Sequence, residues 1–225
     1  MTALTLFKDR QEAGKKLARI LEDFKNQNAI VLALPRGGVV VGAEIARALN
    51  LPLDIVVTRK IGAPKGEEYA IGAIDIDGDG VWSEEEIKNI NKEWLSKEIE
   101  KEKQEAKRRM GLYRQGRTPI NVKDKIVILV DDGIATGLTM KAAIRYVKKG
   151  RASMDGARHD SAESGAQKIV IASPVVAKEV VDDLKKEADE VRALDQPEFF
   201  WAIGQFYENF PQVEDEEVIE IMKRE

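Results

Sequence analysis

Ile126-Val127-Ile128-Leu129-Val130-Asp131-Asp132-Gly133-Ile134-Ala135-Thr136-Gly137-Leu138-Thr139-Met140 is the stretch from which the fold can be read. Its five leading residues are apolar and mostly β-branched, which predicts a strand buried on both faces, as inside a parallel sheet. Two adjacent carboxylates stand where the strand should end. A Gly/Thr-rich turn follows, and Met140 to Val147 has helix-forming composition.

Strand, loop and helix in that order make a place for an anion. Amides at a helix N-terminus lack intrahelical partners and carry the positive end of the dipole, so they can hold a phosphate. Gly137 lets the backbone come close, and Thr136 and Thr139 add hydroxyl donors. Asp131 and Asp132 would repel a phosphate. As ionised acceptors they suit hydroxyls or a divalent cation such as Mg²⁺. A sugar phosphate, with an anion at one end and vicinal hydroxyls nearby, satisfies both halves.

The same unit recurs outward from this stretch. Ala29 to Leu34 is a second buried strand, ending in Pro35-Arg36-Gly37-Gly38 before a helix from about Val39 to Leu49. Gly-Gly alone can mark an ordinary tight turn, but it again offers amides, and Arg36 adds a bidentate cation. Leu53 to Val57 is a third strand, running into Thr58-Arg59-Lys60 and a Gly/Pro/Lys stretch expected to be mobile. Residues 168–173 and 190–194 supply two more strands, with a helix over about 177–187 between them. In front of all these, Ala13, Leu17, Ile20, Leu21 and Phe24 form one apolar stripe of a surface helix over Arg10–Lys25. The expected fold is α/β, an open, mainly parallel five-stranded sheet flanked by helices.

The run Val130-Asp131-Asp132-Gly133-Ile134-Ala135-Thr136-Gly137-Leu138-Thr139 resembles the signature of the type I phosphoribosyltransferases, which bind 5-phosphoribosyl-1-pyrophosphate. The resemblance extends from Ala29 to the C-terminus, although only this motif is diagnostic. It implies a flexible loop and a small hood on the sheet. It assigns Asp131 and Asp132 to the ribose hydroxyls and Ala135, Thr136, Gly137, Leu138 and Thr139 to the 5′-phosphate. It places Arg36, Gly37 and Gly38 in a pyrophosphate loop, often built around a strained or cis peptide. Arg59 and Lys60 fall in a catalytic loop whose basic residues reach the leaving pyrophosphate, with Glu68 the one acid there nominated for proton transfer. The implied cofactor is Mg²⁺, held near Asp131 and Asp132 mainly through ligand or water.

The acceptor is left open. Enzymes of 6-oxopurines carry an acid just before the Thr-Gly of this motif, where this chain has Ala135. That is closer to the adenine-using branch, and closer still to small phosphoribosyltransferases with Leu-Pro-Arg-Gly-Gly loops, whose acceptors are generally unassigned. Six aromatics lie between Phe199 and Phe210. In the family this region supplies a ring that stacks on the base, with Phe200 and Trp201 the candidates. A C-terminal plug over the sheet would account for any single ring equally well. A regulator that binds phosphoribosyl pyrophosphate without chemistry is the alternative expectation.

Composition bounds the rest. The 225 residues suit a single domain over 1–225, and a net charge of −4 gives no basic field for nucleic acid. No apolar run reaches the roughly 18 residues of a membrane span. The absence of cysteine excludes thiol chemistry and makes a cytoplasmic location the expectation. Within the domain, 60–115 is read as flexible loop, hairpin and long charged helix, the helix running from Ser83 to about Arg114 and offering a packing or homodimer surface. Residues 151–165 read as a disordered insertion containing the only histidine, His159, and 196–225 as a C-terminal hood.

One motif competes with this scheme. Asp75 to Glu86 fits the twelve-residue calcium loop of an EF-hand, with Asp75, Asp77, Asp79 and Glu86 as ligands and Gly80 at the position of the sharp turn if the count is taken from Asp75. The residues before it, Tyr69 to Ile74, read as a strand where an EF-hand needs a helix. Turn chemistry at 77–80, with a capping box from Ser83 to Glu86, covers most of the same residues.

Overall fold

The residues from Ile126 to Val130 do form a fully embedded strand. The computed structural model describes residues 6–64, 66–150 and 165–224, in which the elements run α1 (Arg10–Arg19), β1 (Ala29–Ala33), α2 (Gly37–Leu49), β2 (Leu53–Ile55), β3 (Arg59–Ala63), β4 (Gly66–Ile74), β5 (Gly80–Trp82), α3 (Glu84–Ile87), α4 (Lys92–Arg114), β6 (Ile126–Val130), α5 (Leu138–Lys148), β7 (Lys168–Val175), α6 (Lys178–Glu187), β8 (Glu190–Asp195) and α7 (Asp215–Arg224). Strand side chains alternate between faces. Accordingly Ile128 and Val130 of β6 enter a core shared with α1, α2, α4 and α7, while Val127 and Leu129 enter one shared with α5 and α6. Burial on both faces is what the uninterrupted apolar run encodes.

The main sheet has strand order β2-β1-β6-β7-β8, with every neighbouring pair parallel. From β1 the chain moves outward to β2, and from β6 it moves the other way to β7 and β8. The order therefore reverses between β1 and β6, where open α/β sheets hold ligands beyond the strand ends. Ala33 pairs with Val130 in register, so Pro35 to Gly38 and the Asp131-Asp132 pair leave the sheet side by side.

Strands β3, β4 and β5 make a separate antiparallel sheet. One face, with Ala73 and Val81, packs on Leu138 and Ala142 of α5, and the other, with Ile61, Ile71 and Ile74, packs against Trp94, Leu95 and Ile99 of α4. The residues of the calcium-loop pattern are engaged in local contacts. Asp75 follows a strand, and its carboxylate Oδ1 accepts from the amides of Asp77 and Asp79 at 2.9 and 3.0 Å, closing the β4–β5 turn around Gly78 at φ +88°. Lys149 pairs with Asp79, and Tyr69 donates to Glu86 at 3.0 Å. Among the described residues no three His, Cys, Asp or Glu side chains are grouped to hold a metal.

The expected helix over 83–114 is broken in two. Ser83 precedes α3 without a side-chain cap bond, so the capping box is not made, and α3 ends at Ile87. Asn91 restarts the helix, its side chain accepting from the Trp94 amide at 3.0 Å, as Asn favours caps over helix interiors. The C-terminal half of α4 is less solvated than its composition suggests, since Met110, Tyr113 and Arg114 are buried. Arg114 grips Asp54 of β2 through two bonds of 3.1 Å and tethers α4 to the main sheet.

Residues 151–164, His159 included, lie outside the described residues. The flanks of that segment meet: a Cβ placed on Gly165 would lie 3.7 Å from the Lys148 carbonyl oxygen. Among the described residues no helix is long and apolar enough to cross a membrane.

Candidate functional site

Two loops and two helix N-termini converge where the strand order reverses. Gly137, at φ +72°, turns the chain from the β6 loop into α5, a conformation that L side chains rarely adopt. No side chain caps α5. The first-turn amides from Leu138 onward therefore face the loop as orphan donors, with Thr136 exposed and Ala135, Leu138 and Thr139 half-buried around them. Opposite, the Pro35–Arg36 peptide is cis and Gly37 and Gly38 open α2.

These glycines are dictated by close approach. A Cβ on Gly38 would lie 2.8 Å from the Val130 carbonyl oxygen and 3.0 Å from the Asp131 Cα, both backbone atoms. A Cβ on Gly37 would lie 1.9 Å from Asp132 Oδ2. The glycine loop thus lies directly against the two acids.

Asp131 Oδ1 accepts from the Asp132 amide at 2.9 Å. Burial pushes the Asp131 carboxyl above the usual carboxylate range, and the Asp132 carboxylate beside it pushes in the same direction. Asp132 is buried and paired with Arg10, whose Nε lies 2.7 Å from its Oδ2. The Tyr207 hydroxyl donates to the Asp132 carbonyl oxygen at 2.6 Å, and burial raises the pKa of that phenol, keeping it a donor.

Arg36 lies at the mouth of the loop, 3.5 Å from both Glu214 Oε2 and Asp215 Oδ1 at the start of α7. Asp215 is held low by a hydrogen bond from Tyr113 at 2.6 Å, with Arg108 and Arg36 adding to it.

The basic pair of the third loop is divided between the two faces of a strand. Arg59 and Lys60 begin β3 rather than ending β2, so successive side chains take opposite faces. Arg59 turns to α4, its Nε 2.7 Å from Glu102 Oε2. Lys60 stands opposite Ala73, on the face that meets Leu138 and Ala142 of α5. Arg59 is thus engaged by α4, while Lys60 lies towards α5. The Glu68 side chain lies outside the described residues.

Phe200 is half-buried and tilted against Phe206 at 5.1 Å between ring centres, whereas Trp201 is 86% exposed. Trp201 and the exposed Phe199 flank an open apolar groove of 1160 Å³ that runs past Ile20 and Leu194.

Arg10, Tyr207 and Phe210 were not singled out from the sequence. One signal was present: Arg10 lies three and seven residues before Ala13 and Leu17, on the stripe of α1 that faces the core. A cation on such a face needs a buried partner, but its partner is 122 residues away.

Known proteins match this chain over most of its length. The sequence model of the family described as "Phosphoribosyl transferase domain" matches residues 7–210. Two Mycobacterium tuberculosis proteins, "Putative phosphoribosyl transferase Rv0571c" of strain H37Rv and its counterpart MT0597 of strain CDC 1551, are each 38% identical over 223 residues, which is 98% of this chain and 47% of theirs. The chain spans about half the length of these relatives. The crystal structure of TT1426 from Thermus thermophilus superposes with a TM-score of 0.75 at 36% identity, covering 97% of this chain and 98% of that one.

Proposed function

Because the chain belongs to the phosphoribosyl transferase family, we propose that it transfers the 5-phosphoribosyl group of phosphoribosyl pyrophosphate to a ring nitrogen of a nucleobase-like acceptor. The N–C1′ bond forms as the C1′–O bond breaks, pyrophosphate leaves with the electron pair, and the acceptor nitrogen loses its proton. The observation that carries this reading is the contact of the glycine loop with the diacid beside the uncapped N-terminus of α5. In this reading the glycine loop serves as the pyrophosphate cradle, the diacid as two hydroxyl acceptors and the α5 amides as the phosphate cradle.

Each group has one task. The α5 amides and Thr136 and Thr139 bind the 5′-phosphate, Asp131 and Asp132 accept from the ribose hydroxyls, and the Gly37 and Gly38 backbone with Arg36 receives the pyrophosphate. Lys60 offsets charge developing on the leaving group. Positioning and electrostatic stabilisation supply most of the rate enhancement in such a site. Two adjacent carboxylates are hard oxygen donors of the kind that suit Mg²⁺, which is seldom caged by protein alone. When bound there it neutralises pyrophosphate charge. Ala135 offers no carboxylate to a 6-oxopurine, so an adenine-like purine is the favoured acceptor.

The test is a screen of adenine, guanine, hypoxanthine, xanthine, uracil and orotate with phosphoribosyl pyrophosphate and Mg²⁺, following nucleotide by chromatography. A nucleotide from at least one base is expected. Tight binding of phosphoribosyl pyrophosphate with no product from any base would favour a non-catalytic regulator.

A further inference from the structure

Arg10 has no place in the chemistry above, yet its side chain is among the most constrained in the molecule. It opens α1 just after Asp9, which caps the helix by accepting from the Glu12 amide at 2.8 Å. Only 8% exposed, Arg10 divides its guanidinium among three partners. Nε donates to Asp132 Oδ2 at 2.7 Å, Nη1 donates to the Pro211 carbonyl oxygen at 2.7 Å, and the guanidinium carbon lies 3.6 Å from the centre of the Phe210 ring. Phe210 stacks on Tyr207 at 4.8 Å, and Tyr207 returns to the Asp132 carbonyl oxygen. The contacts close a ring from Asp132 through Arg10, Phe210 and Tyr207 back to Asp132.

This ring holds one oxygen of the Asp132 carboxylate in place. Asp132 Oδ2 is held between Arg10 and the glycine loop, since a Cβ on Gly37 would lie 1.9 Å from that oxygen and 2.9 Å from Arg10 Nε. Asp131 Oδ1 is committed to the Asp132 amide and lies 3.1 Å from a Cβ placed on Gly38. Asp132 Oδ1 is the oxygen of its carboxylate that Arg10 does not hold.

We infer that Arg10 is a positioning residue, which fixes Asp132 in its diol-binding rotamer and ties that rotamer to the C-terminal segment 207–211. The inference rests on the phosphoribosyl reading of the site. Arg10 offsets the repulsion between adjacent carboxylates and acts on the ligand only through Asp132. A lysine would keep the charge but could not bond Asp132 and Pro211 together, because it lacks the planar fork of donors.

A double-mutant cycle on the full chain tests this. Dissociation constants for phosphoribosyl pyrophosphate with Mg²⁺ would be measured by calorimetry for the parent, Arg10→Met, Asp132→Asn and the double variant, with melting temperatures alongside. Arg10→Met should weaken binding by about 10- to 100-fold, the scale for removing a group that orients a ligand-binding side chain. The double variant should bind no more weakly than Asp132→Asn alone, because Arg10 then has nothing to position. Losses that add, or an Arg10→Met variant that binds like the parent, would overturn the inference while leaving the substrate reading intact. If Arg10→Met does not fold, Arg10→Lys serves: a several-fold loss at near-parent melting temperature is expected, and unchanged affinity overturns the inference. A parent that binds no phosphoribosyl pyrophosphate defeats the substrate reading, and the inference falls with it.

Discussion

Arg59→Ala and Lys60→Ala, compared side by side, test whether the strand's two-residue period has separated two adjacent cations into different roles. Arg59 meets Glu102 at 2.7 Å with side chains 24% and 11% exposed, so the pair is neither a surface ion pair nor a sealed one. Exposed pairs contribute about 0–1 kcal/mol, while breaking a buried pair costs about 3–5 kcal/mol. Arg59→Ala, which strands a nearly buried Glu102 carboxylate, should fall between these limits, at about 1–3 kcal/mol. For a chain of this size that lowers the melting temperature by about 3–10 °C. Lys60 lies on an exposed position of the opposite face, and Lys60→Ala should change stability by less than about 0.5 kcal/mol. In single-turnover assays with a reactive base the order reverses. Lys60→Ala should slow the chemical step by about 10²-fold, the scale of losing one electrostatic stabiliser, and affect ground-state binding less. Arg59→Ala should retain most of the rate at a temperature where it is folded. Equal catalytic losses, or a Lys60→Ala variant with an unchanged chemical step, would refute the division.

Three other outcomes follow from the geometry. Gly38→Ala should lose phosphoribosyl pyrophosphate binding in calorimetry even where circular dichroism shows a folded chain, because its Cβ would meet backbone atoms at 2.8 and 3.0 Å that cannot swing away. Asp54→Ala should cost about 3–5 kcal/mol in urea unfolding, since it leaves the buried Arg114 guanidinium without its carboxylate. Glu105, held down to about 2 mainly by a hydrogen bond from Arg108, with Arg109 adding to it, stabilises the fold above its ordinary value of 4.5 and loses that contribution as pH falls towards 2. Glu105→Gln should therefore remove up to about 1 kcal/mol at pH 7 and flatten this part of the acid-unfolding curve.

Legibility followed the range of the interactions. The embedded strands β1 and β6 were visible because burial on both faces leaves no polar residue in the run, and the turn into α5 because glycine, threonine and a helix start are local. Acid spacing in the calcium-loop pattern does not record what precedes it, whereas the neighbouring residues did: a strand enters at Asp75, and its carboxylate closes a turn. Arg59 and Lys60 were merged because strand β2 was expected to run up to them, whereas it ends at Ile55 and a new strand starts at Arg59. The helix break at Asn91 was locally encoded by a capping residue but hidden among good helix formers. Arg10–Asp132 and Arg114–Asp54 span 122 and 60 residues, so no local pattern could join them. Charged residues at core-facing helix positions were the only local sign that such partners existed.

Base-dependent release of pyrophosphate from phosphoribosyl pyrophosphate bears most directly on the account. With Mg²⁺ present, the parent should release pyrophosphate and form nucleotide in equal amounts when a reactive base is added, and the Asp131→Asn/Asp132→Asn variant should bind the ligand weakly and form neither product. Undiminished turnover in the diacid variant would contradict the account, as would a parent that neither binds phosphoribosyl pyrophosphate nor releases pyrophosphate with any base.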